Sequence, residues 1–164
     1  MKKYFSLILL LVLLCACSND DNSIPEIEPG TIINPAFDTG LMIGAWVNES
    51  LIINGGESVP YEHNPLCTKD AFGFFNEAGR PFVYEELVNL DDNCVANQVI
   101  MEWSVVEDQL FLFFGDQLLF AYQVLSISET EFRVVSFTDF DGDGNRDSIE
   151  VTAVREDPYG WFED

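Results

Sequence analysis

The sequence is poor in basic residues. It has 7 Lys and Arg against 29 Asp and Glu among 164 residues, which gives a formal net charge of -22 at pH 7. A surface with this charge repels the phosphates of nucleic acids and attracts divalent cations and basic partners. Nucleic acid is therefore excluded as a partner.

Histidine is also scarce, which argues against hydrolytic catalysis. The single histidine, His63, lies in the Pro-rich stretch SVPYEHNPLC, with no motif of a nucleophile beside a base around it. Pairs of carboxylates, which glycoside hydrolases use, arise by chance in a chain with 29 acidic residues. We therefore expect a protein that is not an enzyme, with His63 as a loop residue.

The N-terminal apolar run, residues 7–14, follows a basic start and is too short to span a bilayer comfortably, so residues 1–16 are predicted to be an export signal. The stretch LCAC, which ends at Cys17, resembles the lipobox of bacterial lipoproteins. This implies that Cys17 is lipidated and anchors the chain in a membrane; a plain signal peptide with an incidental cysteine is the alternative. The acidic SNDD that follows is similar to the tether that sends some Gram-negative lipoproteins to the outer face of the outer membrane. We expect an outer membrane lipoprotein, with exposure at the cell surface as one option.

Residues 17–39 are polar and contain Pro25, Pro29 and Pro35, which disfavour helix and keep the backbone extended. We expect this segment to be a flexible linker between the lipid anchor and the folded part. The remaining residues, 40–164, are enough for one modest domain with a hydrophobic core and too few for two.

Cysteine is rare in that domain. It contains only Cys67 and Cys94, an even pair in a compartment that we expect to be oxidising. The turn signal NEAGR, residues 76–80, lies nearly midway between them, so a hairpin at this turn brings the two cysteines together. We predict a disulfide. Two free thiols or a metal site are the alternatives, although a CxxC spacing is absent.

Convincing helical periods are absent from the domain, whereas strand patterns are frequent. Short polar or glycine-bearing connections at 78–79, 107–108 and 115–116 are typical of hairpins. Strands are predicted at residues 41–53, 71–75, 81–87, 98–106, 110–114, 118–125, 131–138 and 148–155. Consecutive hairpins make neighbouring strands antiparallel. We therefore expect an all-β, up-and-down, eight-stranded barrel, with a compact β-sandwich as the alternative.

Alternation of apolar and polar residues indicates which side of a strand faces the core. Residues 99–105 alternate in this way. Residues 110–122 are instead apolar on both faces, so something must cover the outer face of this hairpin. The tail residues Tyr159, Trp161 and Phe162 are the expected cover, with a partner or a ligand-lined wall as alternatives.

The first predicted strand carries Gly44-x-Trp46, and this motif at the start of an eight-strand meander resembles the lipocalins over nearly the whole domain. Arg155 also fits, since lipocalins use an arginine on the last strand to stack across that tryptophan and close one end of the barrel. The resemblance implies a lipocalin-like barrel closed by Trp46 and Arg155. Two features depart from it: the usual C-terminal helix is missing, and Trp46 shares its face with Asn48 and Ser50 unless a bulge intervenes. Trp46 as a core aromatic of a different β fold is the alternative.

The acidic stretch DFDGDGNRDSIE, residues 139–150, has the spacing of a twelve-residue calcium loop. Such a loop binds through positions 1, 3, 5, 7, 9 and 12, with glycine at position 6 for the sharp turn. Gly144 occupies position 6, and carboxylates this close repel one another unless a cation lies among them. The sequence predicts one calcium ion, with the ligands Asp139, Asp141, Asp143, Asn145, Asp147 and Glu150. A solvated acidic hairpin without an ion is the alternative.

The segments on either side of this loop are not those of an EF-hand. They are strand-like rather than helical, and Arg146 stands at position 8. The stretch is similar to the Asp-rich calcium hairpins of integrin-type β-propeller blades. This resemblance implies carboxylate ligands from the four aspartates, a backbone carbonyl ligand from Asn145 and a structural role for the ion, and it leaves the reach of Glu150 open.

These observations predict a cell-envelope lipoprotein whose lipocalin-like barrel binds a small apolar ligand and is stabilised by one calcium ion. Barrels of about eight strands can enclose one small molecule, and 14 Phe, 5 Tyr and 3 Trp can line an apolar pocket. The alternative is a non-enzymatic surface interaction module with a filled barrel, whose acidic exterior or calcium loop binds a protein or a glycan.

Overall fold

The structure is a computed structural model that describes residues 27–90 and 93–162. Its strands are β1 (Ile32–Ile33), β2 (Gly44–Ile53), β3 (Ser58–Pro60), β4 (Ala71–Phe74), β5 (Pro81–Leu90), β6 (Asn93–Val106), β7 (Gln109–Phe114), β8 (Gln117–Ile127), β9 (Glu131–Thr138) and β10 (Asp147–Arg155). A single-turn 3-10 helix covers Thr39–Met42. Within the described ranges, no helix is long and apolar enough to cross a membrane.

Eight of the strands close into a barrel. Each of β2 and β4 to β10 pairs antiparallel with the next one along the chain, β10 pairs back with β2, and β3 pairs only with β2. The predicted up-and-down, eight-stranded barrel is therefore confirmed, and the sandwich alternative is excluded. Because successive strands reverse direction, their connections alternate between two ends. We call them the helix end, which holds the 3-10 helix, and the loop end, which holds the connections β2–β4, β5–β6, β7–β8 and β9–β10.

The eight predicted strands match the eight barrel strands in order, with differences at their ends. The first begins at Gly44 rather than residue 41, because residues 39–42 coil into the 3-10 helix, where the Asp38 side chain accepts a hydrogen bond of 2.8 Å from the Gly40 amide. The hairpin of β5 and β6 extends further than predicted, to Leu90 and Asn93.

A β-bulge in β2 explains how a polar strand segment fits the barrel. The pairing of β2 with β10 shifts by one residue, with Glu49 as the extra residue. Side chains alternate along a strand, so the shift returns Leu51 and Ile53 to the inner face that carries Trp46 and leaves Ser50 outside. The departure from the lipocalin pattern at Ser50 is thereby removed.

The best-packed part of the core lies at the helix end. Trp46 and Trp103 are fully buried, and the ring of Phe74 packs edge-on against Trp103 at 5.7 Å and against Phe132 at 5.9 Å between centroids. The Trp103 indole donates a hydrogen bond of 3.2 Å to the Phe75 carbonyl. Aromatic rings of this size supply much of the apolar area buried on folding.

The expectation of a flexible linker up to residue 39 is wrong for its C-terminal part. Residues 31–33 run parallel to β6, with a hydrogen bond of 2.9 Å from the Val105 amide to the Thr31 carbonyl. Ser104, which is fully buried, donates to the Glu28 carbonyl. The prolines do not prevent this docking, because β1 lies between Pro29 and Pro35. β1 pairs with the part of β6 that does not pair with β5. The predicted signal peptide and Cys17 lie outside the described residues.

The tail covers a different surface from the one predicted. Phe162 stacks on Phe75 at 4.6 Å between centroids, and the Tyr159 hydroxyl donates to the Lys69 carbonyl at 3.0 Å. Trp161 lies against Gly73, where an added Cβ would be 3.0 Å from the indole ring. The tail therefore packs on the outer face of β4.

The β7–β8 hairpin consequently keeps exposed apolar side chains, and the prediction that the tail covers it is wrong. The exposed large apolar residues on this hairpin are Phe114, Leu118, Leu119, Phe120 and Leu125. This pair of strands contains a second bulge, because the register between β7 and β8 shifts by one residue after Leu112.

Cys67 and Cys94 form the predicted disulfide, with a sequence separation of 27 residues. It joins the β3–β4 connection to the start of β6 at the loop end. Closing a loop of this length stabilises the fold by about 3.5 kcal/mol through the lost entropy of the unfolded chain.

Candidate functional site

The barrel contains a partly open cavity of about 160 Å³. Twelve residues from all the barrel strands except β6 line it, namely Asn48, Phe72, Phe74, Phe82, Tyr84, Leu110, Leu112, Tyr122, Phe132, Val134, Val151 and Ala153. The strand alternation places these side chains on the inner face. None of the twelve is charged, so the cavity offers an apolar surface with three polar side chains.

Aromatic contacts hold the walls of the cavity in place. The Phe72 ring stacks on Phe82 at 5.8 Å and meets Phe74 edge-on at 5.8 Å between centroids. Each ring therefore has a neighbour that limits its rotation, and the shape of this wall is largely set before any ligand binds.

The polar side chains of the cavity differ in their partners. The Tyr84 hydroxyl donates a hydrogen bond of 3.4 Å to Glu86. The Asn48 amide and the Tyr122 hydroxyl make no side-chain hydrogen bond to the described part of the chain. Burial raises the pKa of both tyrosines above its usual value, so both are neutral hydroxyls at physiological pH.

Trp46 and Arg155, the predicted closure pair, are in contact at the helix end. The Arg155 guanidinium carbon lies 4.2 Å from the centroid of the Trp46 ring. The guanidinium donates to three backbone carbonyls, those of Leu41 at 2.5 Å, Ile43 at 2.8 Å and Glu129 at 2.6 Å. One side chain therefore ties the last strand to the segment before β2 and to the β8–β9 turn.

Gly44 is required by this arrangement. Its φ of 135° is strained for other residues, and an added Cβ would lie 2.1 Å from an Arg155 nitrogen. Two positions later, the Trp46 indole donates a hydrogen bond of 2.9 Å to the Met42 carbonyl. The Gly-x-Trp motif thus has a physical basis: the glycine makes room for the guanidinium that covers the tryptophan.

His63 has a structural position at the loop end. Its Nδ1 accepts a hydrogen bond of 3.2 Å from the Asp70 amide, which leaves the proton on Nε2 to be donated to the Asn48 carbonyl at 2.8 Å. The ring also packs against Tyr61 at 4.8 Å between centroids. These contacts hold the β3–β4 connection against β2.

The acidic loop connects β9 to β10 at the loop end. Asp139, Asp141 and Asp147 each place a carboxylate oxygen within 4.8 Å of the others. The Asp139 carboxylate accepts hydrogen bonds from the amides of Gly142 and Gly144 at 2.8 and 3.0 Å. Both glycines have positive φ, 79° and 90°, which lets the backbone wrap around the carboxylate.

Asp147 is bonded to a side chain outside the acidic loop. Its carboxylate accepts a hydrogen bond of 2.6 Å from the Asn54 amide and one of 3.0 Å from the Phe140 amide. The bond from Asn54, followed by that from Phe140, lowers the pKa of Asp147. The Asn54 side-chain oxygen in turn accepts from the Ser148 amide at 3.0 Å, so Asn54 links the end of β2 to the base of the loop.

The remaining predicted metal ligands lie apart from this group of three. Asp143 accepts hydrogen bonds from the Asn145 amide and side chain at 2.7 and 2.9 Å. Glu150 forms an ion pair with Arg133 on the adjacent strand. The carboxylate of Glu150 is therefore engaged on the outer face of the barrel, and we remove it from the set of candidate ligands.

The sequence analysis missed the polar residues of the cavity. Asn48 was noted there only as a misfit on the face of Trp46, although a polar side chain on the inner face of a barrel strand is itself a signal of a polar contact inside. Tyr122 gave no comparable signal, because it ends a run that is apolar on both faces.

Comparison with known proteins finds similarity in the fold alone. No protein-family model matches the chain, and no curated protein matches its sequence. Among solved structures, insecticyanin from the tobacco hornworm Manduca sexta is similar with a TM-score of 0.53 and 11% identity, over 80% of this chain and 68% of that chain. Bovine odorant binding protein, solved with its natural ligand, gives a TM-score of 0.42 and 14% identity, over 74% and 75% of the two chains. Both are lipocalins. The closed barrel and the similarity to insecticyanin show a lipocalin-like fold.

We expect Arg155→Met to destabilise the protein by about 2 kcal/mol, because it removes the contact with Trp46 and three hydrogen bonds from a charged donor. The stability of Arg155→Lys should lie between those of the wild type and Arg155→Met, because lysine keeps the positive charge but lacks the planar guanidinium with its several donors. Urea denaturation followed by tryptophan fluorescence measures the change. Arg146→Met, in the exposed acidic loop, is the control and should stay within about 0.5 kcal/mol of the wild type. An Arg155→Met variant as stable as the control would contradict a closing role for Arg155.

Proposed function

We propose that this protein is a non-enzymatic, lipocalin-like binding protein that takes one small apolar molecule into the barrel. The observation that carries the proposal is the cavity of about 160 Å³ with its uncharged, mainly aromatic and aliphatic lining. Interiors of eight-stranded barrels are just wide enough to be filled by side chains or to hold one small ligand. Here the side chains leave part of the space open.

The size of the cavity limits the size of the ligand. A dry apolar cavity of roughly 150 Å³ accommodates benzene. We therefore propose a ligand of about the size of a substituted benzene rather than a long acyl chain. A binding role also fits His63, because both of its ring nitrogens are engaged in holding the β3–β4 connection.

Filling the cavity should weaken binding. Val151 lines it, and a phenylalanine at this position would overlap a bound ligand, which should weaken toluene binding about tenfold or more. Isothermal titration calorimetry with toluene measures the affinity. Native mass spectrometry of protein purified from its own host should also show a small co-purified molecule in the wild type and none in Val151→Phe.

Val154→Phe is the matched control, since it is the same substitution on the same strand but on the outer face. It should bind toluene as the wild type does. Equal affinities of wild type and Val151→Phe, with both variants folded by circular dichroism, would exclude the cavity as the binding site.

We further propose that the acidic loop binds one calcium ion through Asp139, Asp141 and Asp147, with the Asn145 carbonyl as an additional ligand. The convergence of three carboxylates supports this, because oxygen atoms this close repel one another without a cation. Asp143 is the next candidate, since its carboxylate bonds only within the exposed loop. The ion would fix the hairpin between β9 and β10.

Calcium should raise the melting temperature of chelator-treated protein, because an ion that binds only the folded state stabilises it by about 2.7 kcal/mol at 100 times its Kd. The double variant Asp139→Asn and Asp141→Asn should lose this response. The control, Asp116→Asn with Glu57→Gln, removes the same charge elsewhere and should keep it. Differential scanning calorimetry measures the melting temperature with calcium and with magnesium. A wild-type melting temperature that calcium leaves unchanged would rule out the ion.

We also propose that a lipid on Cys17 anchors the protein in the outer membrane, on the strength of the lipobox-like LCAC alone. In a Gram-negative host, the wild type should incorporate labelled palmitate and fractionate with membranes. Cys17→Ser should do neither, whereas Cys15→Ser, two residues away, should behave as the wild type. Labelling of Cys17→Ser would refute the assignment.

A surface interaction module that binds a protein or a glycan is the second candidate function. The exposed apolar side chains of the β7–β8 hairpin favour it, because such residues are usually covered in a monomer that has no partner. The two candidate functions predict different results for toluene. A surface module with a filled barrel should not bind toluene, and Val151→Phe should leave its binding of a protein or a glycan unchanged.

A further inference from the structure

We propose that the cavity selects neutral ligands that carry a hydroxyl or carbonyl group, and that Asn48 and Tyr122 are the residues that hydrogen-bond this group. The inference rests on the proposed ligand-binding function and specifies the chemical class of the ligand. Its basis is that the cavity lining contains polar side chains without a hydrogen-bond partner but no charged side chain.

The first step concerns the two polar side chains without a partner. Within the described residues, every side-chain nitrogen or oxygen that is fully buried has a hydrogen-bond partner. Asn48 and Tyr122 line the cavity and lack one, so their polar atoms must retain contact with open space. A wholly apolar ligand that covered these atoms would leave them without a hydrogen-bond partner, which is costly, whereas a ligand with a polar group can bond them.

The second step concerns what these two side chains can recognise. An amide offers both a carbonyl acceptor and two N–H donors, and a neutral phenol is both donor and acceptor. They can therefore bond a hydroxyl, which donates and accepts, or a carbonyl, which accepts. Tyr84 also lines the cavity, but its hydroxyl is already bonded to Glu86 and is less available.

The third step excludes ionised ligands. A carboxylate in the cavity would lose its hydration and meet no cation, since none of the twelve lining residues is charged. The arginines of β9 and β10 are already bonded to other groups. Arg133 pairs with Glu150, and Arg155 donates to backbone carbonyls at the helix end. The formal charge of -22 disfavours the approach of anions further.

Matched ligands test the selection against charge. We expect 4-methylbenzamide to bind the full domain at pH 7 at least about tenfold more tightly than 4-methylbenzoate, which has nearly the same shape and carries a negative charge. Isothermal titration calorimetry measures both affinities. Equal affinities, or tighter binding of the benzoate, would overturn the inference.

Matched variants test the two residues. The ratio of the affinities for 4-methylphenol and toluene isolates the hydroxyl, and it should fall roughly fivefold in Tyr122→Phe and in Asn48→Leu. Tyr159→Phe is the control, because its hydroxyl lies outside the cavity and donates to the Lys69 carbonyl, and it should keep the wild-type ratio. A ratio that neither Tyr122→Phe nor Asn48→Leu changes, with toluene still bound, overturns the assignment of these residues and leaves the proposed function standing. Absence of binding by all four probes overturns the proposed function itself. Thermal unfolding followed by circular dichroism verifies that each variant is folded.

Discussion

The pairing of β10 with β2 is the contact on which the rest of the structure depends. It turns a meander of eight strands into a closed wall, so that half of the side chains of each strand must share one interior. The pairing works only because the bulge at Glu49 changes the register within β2. Without it, the strand could not turn both Trp46 and Leu51 to the inner face, because a one-residue slip exchanges the two faces.

The two ends of the barrel are held together by different contacts. At the helix end, the Arg155 guanidinium covers the Trp46 ring, and the guanidinium and the indole both donate hydrogen bonds to backbone carbonyls of the segment that holds the 3-10 helix. At the loop end, the base of the acidic loop is bonded to Asn54, and the disulfide joins the β3–β4 connection to β6. Asn54 bonds both Asp147 and Ser148, so an ion held by the loop would be linked directly to the end of β2. A rigid base with adaptable loops is the usual way in which a β scaffold carries a binding site.

Local pattern was enough to predict the barrel, and it failed where distant residues meet. Alternation and turn chemistry identify strands because both act within a few residues. The docking of β1 on β6 and the packing of Trp161 on Gly73 join residues 70 or more positions apart, and no short pattern encodes them. The same limit applies to the acidic loop. Glu150 fits the linear spacing of a ligand, but a cross-strand arginine, invisible in the spacing, takes its carboxylate.

The charge of the surface and the neutrality of the cavity act in the same direction. The acidic exterior lowers the local concentration of anions around the molecule, while the uncharged lining withholds the cation that an anion would need inside. Positive ligands are drawn to the surface but also lose hydration in the interior without a paired charge. Both barriers fall away for a neutral molecule, so discrimination by the proposed site would follow from desolvation. The polar atoms of Asn48 and Tyr122 would then need only to distinguish one neutral ligand from another.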